Sequence, residues 1–180
     1  EGGGLVAVVG PSGVGKDSVI DGMVAAAPWL SRVQRVITRP PSGSEPFESV
    51  SEAEFLRRKE TGAFALHWQA HGLSYGLPAA TMVEIAGGGV RIANLSRRML
   101  GHASEVFPRL AVLSLTASPE TIADRLAGRG RETAAEIAAR LARHAPLPTG
   151  LDVVEIRNDG ALSETVSQAL AALAPLRGKR

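Results

Sequence analysis

The sequence predicts an α/β fold in which a mostly parallel β-sheet is covered by helices on both faces. Apolar runs of strand length recur along the chain, at residues 5–9, 90–95, 110–116 and 153–156. An uninterrupted apolar run is typical of a parallel strand that is buried on both sides. Helical patterns separate these runs, and this alternation favours a parallel sheet with right-handed crossovers.

Capping residues mark where several helices begin. Ser51 is followed three residues later by Glu54, which predicts a capping box. Ser118 precedes Pro119, which predicts an N-cap with proline at the first helical position. We expect helices at residues 15–27, from 51 onward, and at 78–86, 119–127, 133–144 and 162–173.

The stretch from about 33 to 83 is less regular than the rest of the chain. It contains predicted strands at 33–38, 64–69 and 73–76, and a predicted loop at 39–49 that is rich in Pro, Ser, Gly and Glu. A chain of 180 residues suits one domain. We therefore expect a single domain over residues 1–180, with this stretch as a substrate-binding insertion.

Composition and charge exclude several classes of protein. The formal net charge is +2, and 17 of the 20 basic residues are Arg, without the dense basic tract that is typical of nucleic-acid binders. The chain has no Cys, which excludes disulfides and thiolate nucleophiles. No apolar run is long enough to span a membrane. We expect a cytoplasmic protein, monomeric or homodimeric, that binds neither nucleic acid nor membrane.

A glycine-rich loop follows the first predicted strand. Residues 10–16 match G-x-x-x-x-G-K between a strand and a helix, the context of a P-loop. Backbone N–H groups and the helix N-terminus there supply positive charge for phosphates, and Lys16 adds an ammonium. The sequence thus predicts a P-loop NTPase that binds ATP through Gly10, Pro11, Ser12, Gly13, Val14, Gly15, Lys16, Asp17 and Ser18.

Asp17 departs from the usual P-loop pattern, which has Ser or Thr after the lysine. A carboxylate is a good hard-oxygen ligand for Mg²⁺, so Asp17 is the candidate metal ligand and Mg²⁺ the expected cofactor. The alternative is that Asp17 only caps the helix while water molecules hold the metal.

Length and the position of the insertion indicate which P-loop proteins to consider. The N-K-x-D motif of small GTPases is absent. A short chain with an insertion after the first helix and an Arg-rich segment near the C-terminus is typical of small-molecule kinases. Such enzymes close a lid that keeps ATP from reacting with water, and residues 126–145 are the candidate lid.

Segments at 38–39, 43–45, 71–76, 125–130 and 140–141 resemble the guanylate kinases, and the resemblance covers nearly the whole chain. Four departures from the guanylate kinase pattern concern residues that would bind the phosphate acceptor. Arg35 replaces a guanine-reading Ser, Leu66 replaces a Glu, and Ala93 to Ser96 stand where that family has Asp. In addition, Ser42 replaces a phosphate-binding Arg. A pocket that discriminates guanine by hydrogen bonds cannot lose those partners and keep its specificity.

Segments at 10–18, 37–39, 44–45, 68–76, 94–97, 129–143 and 158–160 resemble a sister family, the ribose 1,5-bisphosphate phosphokinases of phosphonate catabolism. An Asp after the P-loop lysine is a feature of that family, whereas Pro46-Phe47 stands where it tends to have Asn-His. The resemblance implies that ATP phosphorylates the 1-phosphate of ribose 1,5-bisphosphate, giving 5-phosphoribosyl 1-diphosphate and ADP.

Site residues follow from the two resemblances. Catalytic roles are implied for Lys16, Arg39, Arg129 and Arg140, and nucleotide contacts for Arg131 and Asn158. The candidate acceptor-binding residues are Arg35, Arg39, Glu45, His71, Tyr75, Asn94 and Ser96. The assignment of Arg35 to a second phosphate is our own inference. Arg125 is expected to be structural and paired with a carboxylate.

Two alternatives stay open at this point. The chain could be a guanylate kinase that reads its base differently, or a guanylate kinase-like module that binds a partner without catalysis. The intact P-loop argues against the second alternative, because modules that have lost catalysis usually have a degraded phosphate loop.

Overall fold

The computed structural model describes residues 3–41, 46–127, 136 and 147–177. Four candidate site residues lie outside the described residues: Glu45, Arg129, Arg131 and Arg140. The helix expected at 133–144 also lies outside them, apart from residue 136.

Strands and helices alternate along the described chain. The strands are β1 (Gly4–Val9), β2 (Leu30–Arg32), β3 (Val36–Ile37), β4 (Glu48–Ser49), β5 (Phe64–Ala70), β6 (Leu73–Pro78), β7 (Val90–Asn94), β8 (Leu110–Thr116) and β9 (Asp152–Arg157). The helices are α1 (Lys16–Ala26), α2 (Glu52–Glu60), α3 (Ala80–Ala86), α4 (Leu100–Val106), α5 (Pro119–Ala127) and α6 (Leu162–Leu173), with 3₁₀ turns at Arg97–Met99 and Ala174–Arg177.

The main sheet, as far as the chain is described, has five parallel strands in the order β2-β7-β1-β8-β9. The central strand β1 pairs with β7 on one side and with β8 on the other. This arrangement confirms the predicted α/β fold with a parallel sheet. It also brings the carboxyl ends of β1, β7 and β8 to one edge, where ligands bind in open α/β sheets.

The two faces of the main sheet are both covered, as the apolar strands predict. Val6 and Val8 of β1 face a core that is closed by α1 and α6, whereas Leu5, Ala7 and Val9 face the opposite core. That second core is closed by α4 and by residues of β5 and β6. The alternation along β1 therefore fixes the P-loop that follows it between two packed layers.

A smaller sheet forms from the insertion. Its described strands run in the order β4-β3-β6-β5, with β3 antiparallel to β6 and β5 antiparallel to β6. The β5–β6 hairpin turns at His71, which has a φ of 53°. Leu66 and Trp68 of β5 pack into the second core, so this sheet is held against the main sheet.

Three regions differ from the expected local structure. The strand predicted at 33–38 is shorter and corresponds to β3, which pairs with β6, while β2, for which no strand was predicted, pairs with β7. The predicted loop at 39–49 ends in β4. Residues 97–106, for which no element was predicted, form a 3₁₀ turn and α4.

The two predicted N-caps are present, but one capping box is incomplete. Ser51 accepts the backbone N–H of Glu54 at 3.1 Å, while the Glu54 carboxylate binds Arg57 and Arg58. Ser118 Oγ accepts the backbone N–H of Thr121 at 3.2 Å at the start of α5. Among the described helices, none is long and apolar enough to cross a bilayer.

Candidate active site

A cavity of about 1050 Å³ lies at the carboxyl ends of the parallel strands, between the P-loop and the smaller sheet. Residues 10–18, which we call the loop wall, form one side. The opposite side, the arginine wall, consists of Arg35, Arg39, Trp68 and Tyr75. The insertion therefore supplies the wall of the cavity across from the P-loop.

Most of the predicted site residues that the structure describes meet in this cavity. Besides the loop wall, Arg35, Arg39, His71, Tyr75, Asn94, Ser96 and Asn158 line it. Val14 is the exception, because its side chain is fully buried beneath the loop.

Charge in the cavity is strongly positive. The described lining carries six ammonium or guanidinium groups, from Lys16, Arg35, Arg39, Arg97, Arg98 and Arg125. Asp17 is the one carboxylate among the described lining residues. A concave surface with this balance attracts polyanions.

Two glycines allow the loop wall to adopt its shape. Gly13 and Gly15 have φ values of 85° and 96°, in the left-handed region that side chains disfavour. A Cβ at Gly13 would lie 2.8 Å from Leu126, and one at Gly15 would lie 2.8 Å from Asn158 Nδ2. The loop thus packs against α5 and the end of β9 at positions where only glycine fits, and this close packing fits a P-loop that holds phosphates with its backbone.

The Val14 carbonyl fixes the loop to the rest of the fold. Arg125 Nη1 donates to it at 3.0 Å and Asn158 Nδ2 donates to it at 2.8 Å. Thr165 Oγ1 donates to Asn158 Oδ1 at 2.8 Å, and Arg125 Nη2 donates to the Asn158 carbonyl at 2.7 Å. Arg125 is structural, as expected, but these two hydrogen bonds go to backbone carbonyls rather than to the carboxylate that we expected.

Lys16 lies at the centre of the positive charge. Its Nζ donates to the Gly10 carbonyl within the loop. Burial lowers the pKa of Lys16 from its ordinary value; Asp17 opposes this shift, while Arg35 and Arg97 add to it by like-charge repulsion. An anion bound among these cations would remove much of that repulsion.

Aromatic rings hold the cations of the arginine wall. The Arg35 guanidinium lies 5.5 Å from the centre of the Tyr75 ring, and Tyr75 stacks on Trp68 with centroids 5.4 Å apart. Arg35 also donates to the Asn94 carbonyl at 3.2 Å. Arg39 lies 4.4 Å from the centre of the Phe47 ring. Stacking orients a guanidinium and leaves its charge available to a ligand.

Short hydrogen bonds fix the strands behind these arginines. Ser49 Oγ donates to the Arg39 carbonyl at 2.6 Å, and the backbone N–H of Ser74 donates to Thr38 Oγ1 at 2.9 Å. Arg58 of α2 forms a bidentate pair with Glu48 of β4. The arginine wall is therefore part of an ordered sheet.

Sequence reasoning missed two of the cationic lining residues, Arg97 and Arg98. Both follow β7 directly, at the edge of the sheet where ligands bind. That position after a predicted strand was the available signal. Trp68, Gly160 and Leu162 also line the cavity without having been assigned a role.

A metal site built from protein ligands alone is not found among the described residues, where no group of three His, Asp or Glu side chains comes together. Asp17 instead offers a single carboxylate next to the phosphate loop. One carboxylate combined with substrate phosphates and water is how Mg²⁺ is usually held in nucleotide sites, so the residues present fit this metal.

Solved structures with a similar fold are kinases. Guanylate kinase from Anaplasma phagocytophilum superposes with a TM-score of 0.70 at 19% identity, covering 99% of this chain and 88% of the other. A gluconokinase from Sinorhizobium meliloti 1021 gives a TM-score of 0.56 at 21% identity, covering 97% and 93%. With a P-loop facing an arginine-lined cavity, the chain is a P-loop protein with a guanylate kinase-like fold.

Curated relatives define the family more narrowly. The ribose 1,5-bisphosphate phosphokinase PhnN of Ruegeria sp. (strain TM1040) is 51% identical over 174 residues, covering 95% of this chain and 92% of the relative. That of Brucella melitensis biotype 2 is 47% identical over 171 residues, covering 92% and 89%. No protein-family model matches the chain. The chain belongs to the family of ribose 1,5-bisphosphate phosphokinases.

Proposed function

We propose that this enzyme transfers the γ-phosphoryl group of ATP to the 1-phosphate of ribose 1,5-bisphosphate. The products are 5-phosphoribosyl 1-diphosphate and ADP. The observation that carries the proposal is the cavity itself. The P-loop lies on one side of it, and Arg35 and Arg39, each stacked on an aromatic ring, lie on the other. Among the described lining residues, only Asp17 carries a carboxylate. Such a cavity suits two polyanions that must approach each other.

The chemistry needs charge neutralisation more than acid–base catalysis. An oxygen of the 1-phosphate forms a bond to the γ-phosphorus, and the bond from that phosphorus to the bridging oxygen breaks, leaving ADP. The attacking oxygen is already anionic at neutral pH, so no general base is required. Alignment of the two phosphates and screening of their repulsion supply the rate enhancement.

Lys16 and the loop wall would bind the β- and γ-phosphates. The left-handed glycines aim backbone N–H groups into the loop, and the N-terminus of α1 adds its dipole. Arg39 and Tyr75 would hold the phosphate that is phosphorylated, and Arg35 the second phosphate of the acceptor. Arg129, Arg131 and Arg140 are proposed from the family resemblance to bind the transferring group.

Asp17 is the proposed ligand of Mg²⁺, which when bound would neutralise the charge that develops between the β- and γ-phosphates. The N-cap of α1 is Gly15, and Asp17 lies in the first turn, where the helix dipole also favours its charge. Asp17→Asn should raise the Mg²⁺ concentration that gives half-maximal activity. An unchanged Mg²⁺ titration would remove Asp17 from the metal site.

An acceptor screen tests the proposed function. The purified chain is incubated with ATP and Mg²⁺ and with ribose 1,5-bisphosphate, ribose 1-phosphate, GMP or gluconate, and ADP release is measured beside ³¹P NMR of the product. We expect the highest kcat/KM with ribose 1,5-bisphosphate and a new diphosphate resonance. A higher kcat/KM with GMP would overturn the proposal in favour of a guanylate kinase.

A further inference from the structure

Phe47 belongs to the Pro46-Phe47 pair that departs from the family pattern, and the mechanism described so far gives it no role. The Arg39 guanidinium carbon lies 4.4 Å from the centre of its ring, a distance at which a cation is attracted to an aromatic face. Arg39 lines the cavity, whereas Phe47 is not among the lining residues in the part of the chain that the structure describes. The ring therefore contacts Arg39 without itself facing the cavity.

A second contact to Arg39 comes from the same short segment. Phe47 lies directly before β4, and Ser49 lies in β4. Ser49 Oγ donates to the Arg39 carbonyl at 2.6 Å, while the Phe47 ring contacts the Arg39 guanidinium. Three consecutive residues thus hold Arg39 at both its backbone and its charged end.

The segment is fastened to two other elements through Glu48. The backbone N–H of Glu48 donates to the Arg35 carbonyl at 2.8 Å, as part of the pairing of β4 with β3. The Glu48 carboxylate accepts two hydrogen bonds from Arg58 of α2, at 2.8 and 2.9 Å. Because its neighbour in sequence is tied to a strand and to a helix, the Phe47 ring is carried by a fixed support.

A guanidinium that is already oriented binds a phosphate at a lower entropic cost. An arginine side chain has several rotatable bonds and loses rotamer freedom when a ligand holds it. Stacking on a ring restricts those rotamers before the ligand arrives, which lowers the free-energy cost of binding. This restriction follows from the presence of the ring and does not depend on what else Arg39 contacts.

We propose that Phe47 is a positioning residue, which holds the Arg39 guanidinium in the direction from which it meets the acceptor phosphate. Phe47 does not touch the acceptor. The inference rests on the role that the proposed function gives to Arg39, and it adds to that role a residue outside the cavity. It also assigns a use to one of the two positions at which this chain departs from the pattern of its family.

The test compares two substitutions of Phe47 that differ in the aromatic face. Phe47→Leu keeps an apolar side chain and removes the ring, whereas Phe47→Tyr keeps the ring. Phe47→Leu should lower kcat/KM for ribose 1,5-bisphosphate about fivefold, since the cation–ring contact is lost, and should leave the KM for ATP unchanged. Phe47→Tyr should stay within about twofold of wild type. Initial rates at varied ATP and varied acceptor give both constants.

A double-mutant cycle shows whether Phe47 acts through Arg39. In the background of Arg39→Met, which has no guanidinium, Phe47→Leu should change kcat/KM for the acceptor by less than about twofold. A further loss of about fivefold in that background would mean that Phe47 acts independently of Arg39, and would overturn the inference. An unchanged kcat/KM in Phe47→Leu alone, or an equal rise in the KM for ATP, would also overturn it. The same holds if Arg39→Met keeps the wild-type kinetics.

Phe55→Leu is the matched control. Phe55 of α2 stacks on Phe64 of β5 with centroids 4.6 Å apart, and it is not among the described lining residues. The control therefore also loses a ring contact in the insertion, but one away from Arg39. It should keep the wild-type kcat/KM at a temperature where circular dichroism shows every variant to be folded.

An equal loss of kcat/KM in Phe55→Leu would indicate a general loosening of the smaller sheet and would overturn the inference. All of these outcomes leave the proposed function intact, because wild type still phosphorylates the acceptor. If wild type does not phosphorylate ribose 1,5-bisphosphate, the proposed function itself fails and this inference fails with it.

Discussion

The two walls of the cavity hold their positive charge in different ways. The loop wall presents backbone N–H groups and one lysine, and it is anchored through the Val14 carbonyl to Arg125 and Asn158. The arginine wall presents side chains that rest on aromatic rings. In the proposed function, the first wall would bind a triphosphate through its backbone geometry, whereas the second would depend on which side chains it carries.

This contrast explains how a guanylate kinase-like fold can serve a different acceptor. The loop wall is built from local backbone geometry, which does not depend on the acceptor. Arg35 of the arginine wall stands where the guanylate kinase pattern has a Ser, and Leu66, which packs in the second core, stands where that pattern has a Glu. Two groups that would hydrogen-bond a base are thus replaced by a cation and an apolar side chain. Changes in the two walls should therefore have separable kinetic effects.

The largest expected effect comes from the loop wall. Lys16→Met removes the ammonium at the centre of the cavity, and kcat should fall by about 10³-fold with every acceptor, because transition-state charge is no longer compensated. Assays of ADP release measure the fall in kcat, and far-ultraviolet circular dichroism checks that the fold persists. A folded variant with an unchanged rate would contradict the role of Lys16.

In the arginine wall, Arg39→Met should lower kcat/KM for the acceptor by about 30-fold and leave the KM for ATP unchanged. Arg39→Lys keeps the charge but loses the planar fork and the stacking on Phe47, so it should recover only part of the activity. Initial rates at varied ATP and varied acceptor separate the two constants. An equal rise in both KM values would show that the walls are not independent.

A smaller effect is expected behind the loop wall. Asn158 is 5% exposed and bridges Val14 and Thr165. Asn158→Ala removes both bonds, so the buried Thr165 hydroxyl loses its acceptor and the Val14 carbonyl keeps only the bond from Arg125. The free energy of unfolding should therefore fall by about 2 kcal/mol, and the KM for ATP should rise about tenfold. Thr165→Val, which removes one of the two bonds, serves as a milder comparison. Urea unfolding measures the loss of stability, and initial rates measure the KM for ATP. A variant that is less stable in urea but keeps the wild-type KM for ATP would show that Asn158 does not position the loop.

The smallest effect concerns the exposed carboxylate of Asp159. The backbone N–H of Ser118, aided by Thr121 and Arg157, holds the pKa of Asp159 at about 2, against an ordinary value of 3.8. Because the folded-state pKa is depressed, the stabilisation is present above pH 3.8 and is lost as the pH falls toward 2. The Tm of wild type should therefore exceed that of Asp159→Asn at neutral pH.

Melting curves at pH values between about 2 and 7 check this expectation. The difference in Tm between the two proteins should be constant at neutral pH and should shrink in the acid range. A difference that does not vary with pH would contradict the assignment. Asp159 joins β9 to α5, the helix that carries Arg125, so the variant also tests whether this junction supports the loop wall.

Elements governed by local rules could be predicted from the sequence. The strand–loop–helix unit at 5–26, the N-caps at Ser51 and Ser118, and the last helix, Leu162–Leu173, occur as expected. In each case the residues themselves carry the signal: an apolar run, a glycine that fits a tight turn, or a hydroxyl at a helix start. The glycine-rich turn of the P-loop was predictable for the same reason.

Elements that depend on distant partners were not predictable. The strand predicted at 33–38 was too long and β2 was not predicted, because a local pattern cannot show that Leu30 pairs with Val90 while Val36 pairs with Gly76. The short helix α4 forms because Leu100 and Ala103 are buried by the sheet, a tertiary effect that outweighs its weak local signal. Arg97 was missed since an arginine after a strand looks like any surface charge.

The stack of Trp68 on Tyr75 places an indole in the acceptor half of the cavity. Trp29 is the second tryptophan of the chain and packs in the core on the opposite face of the main sheet. With Trp29→Phe, tryptophan fluorescence would come from Trp68 alone, which is separated from Arg35 by the Tyr75 ring. The enzyme thus contains its own optical probe, whose emission can follow the arrival of the acceptor without any added label.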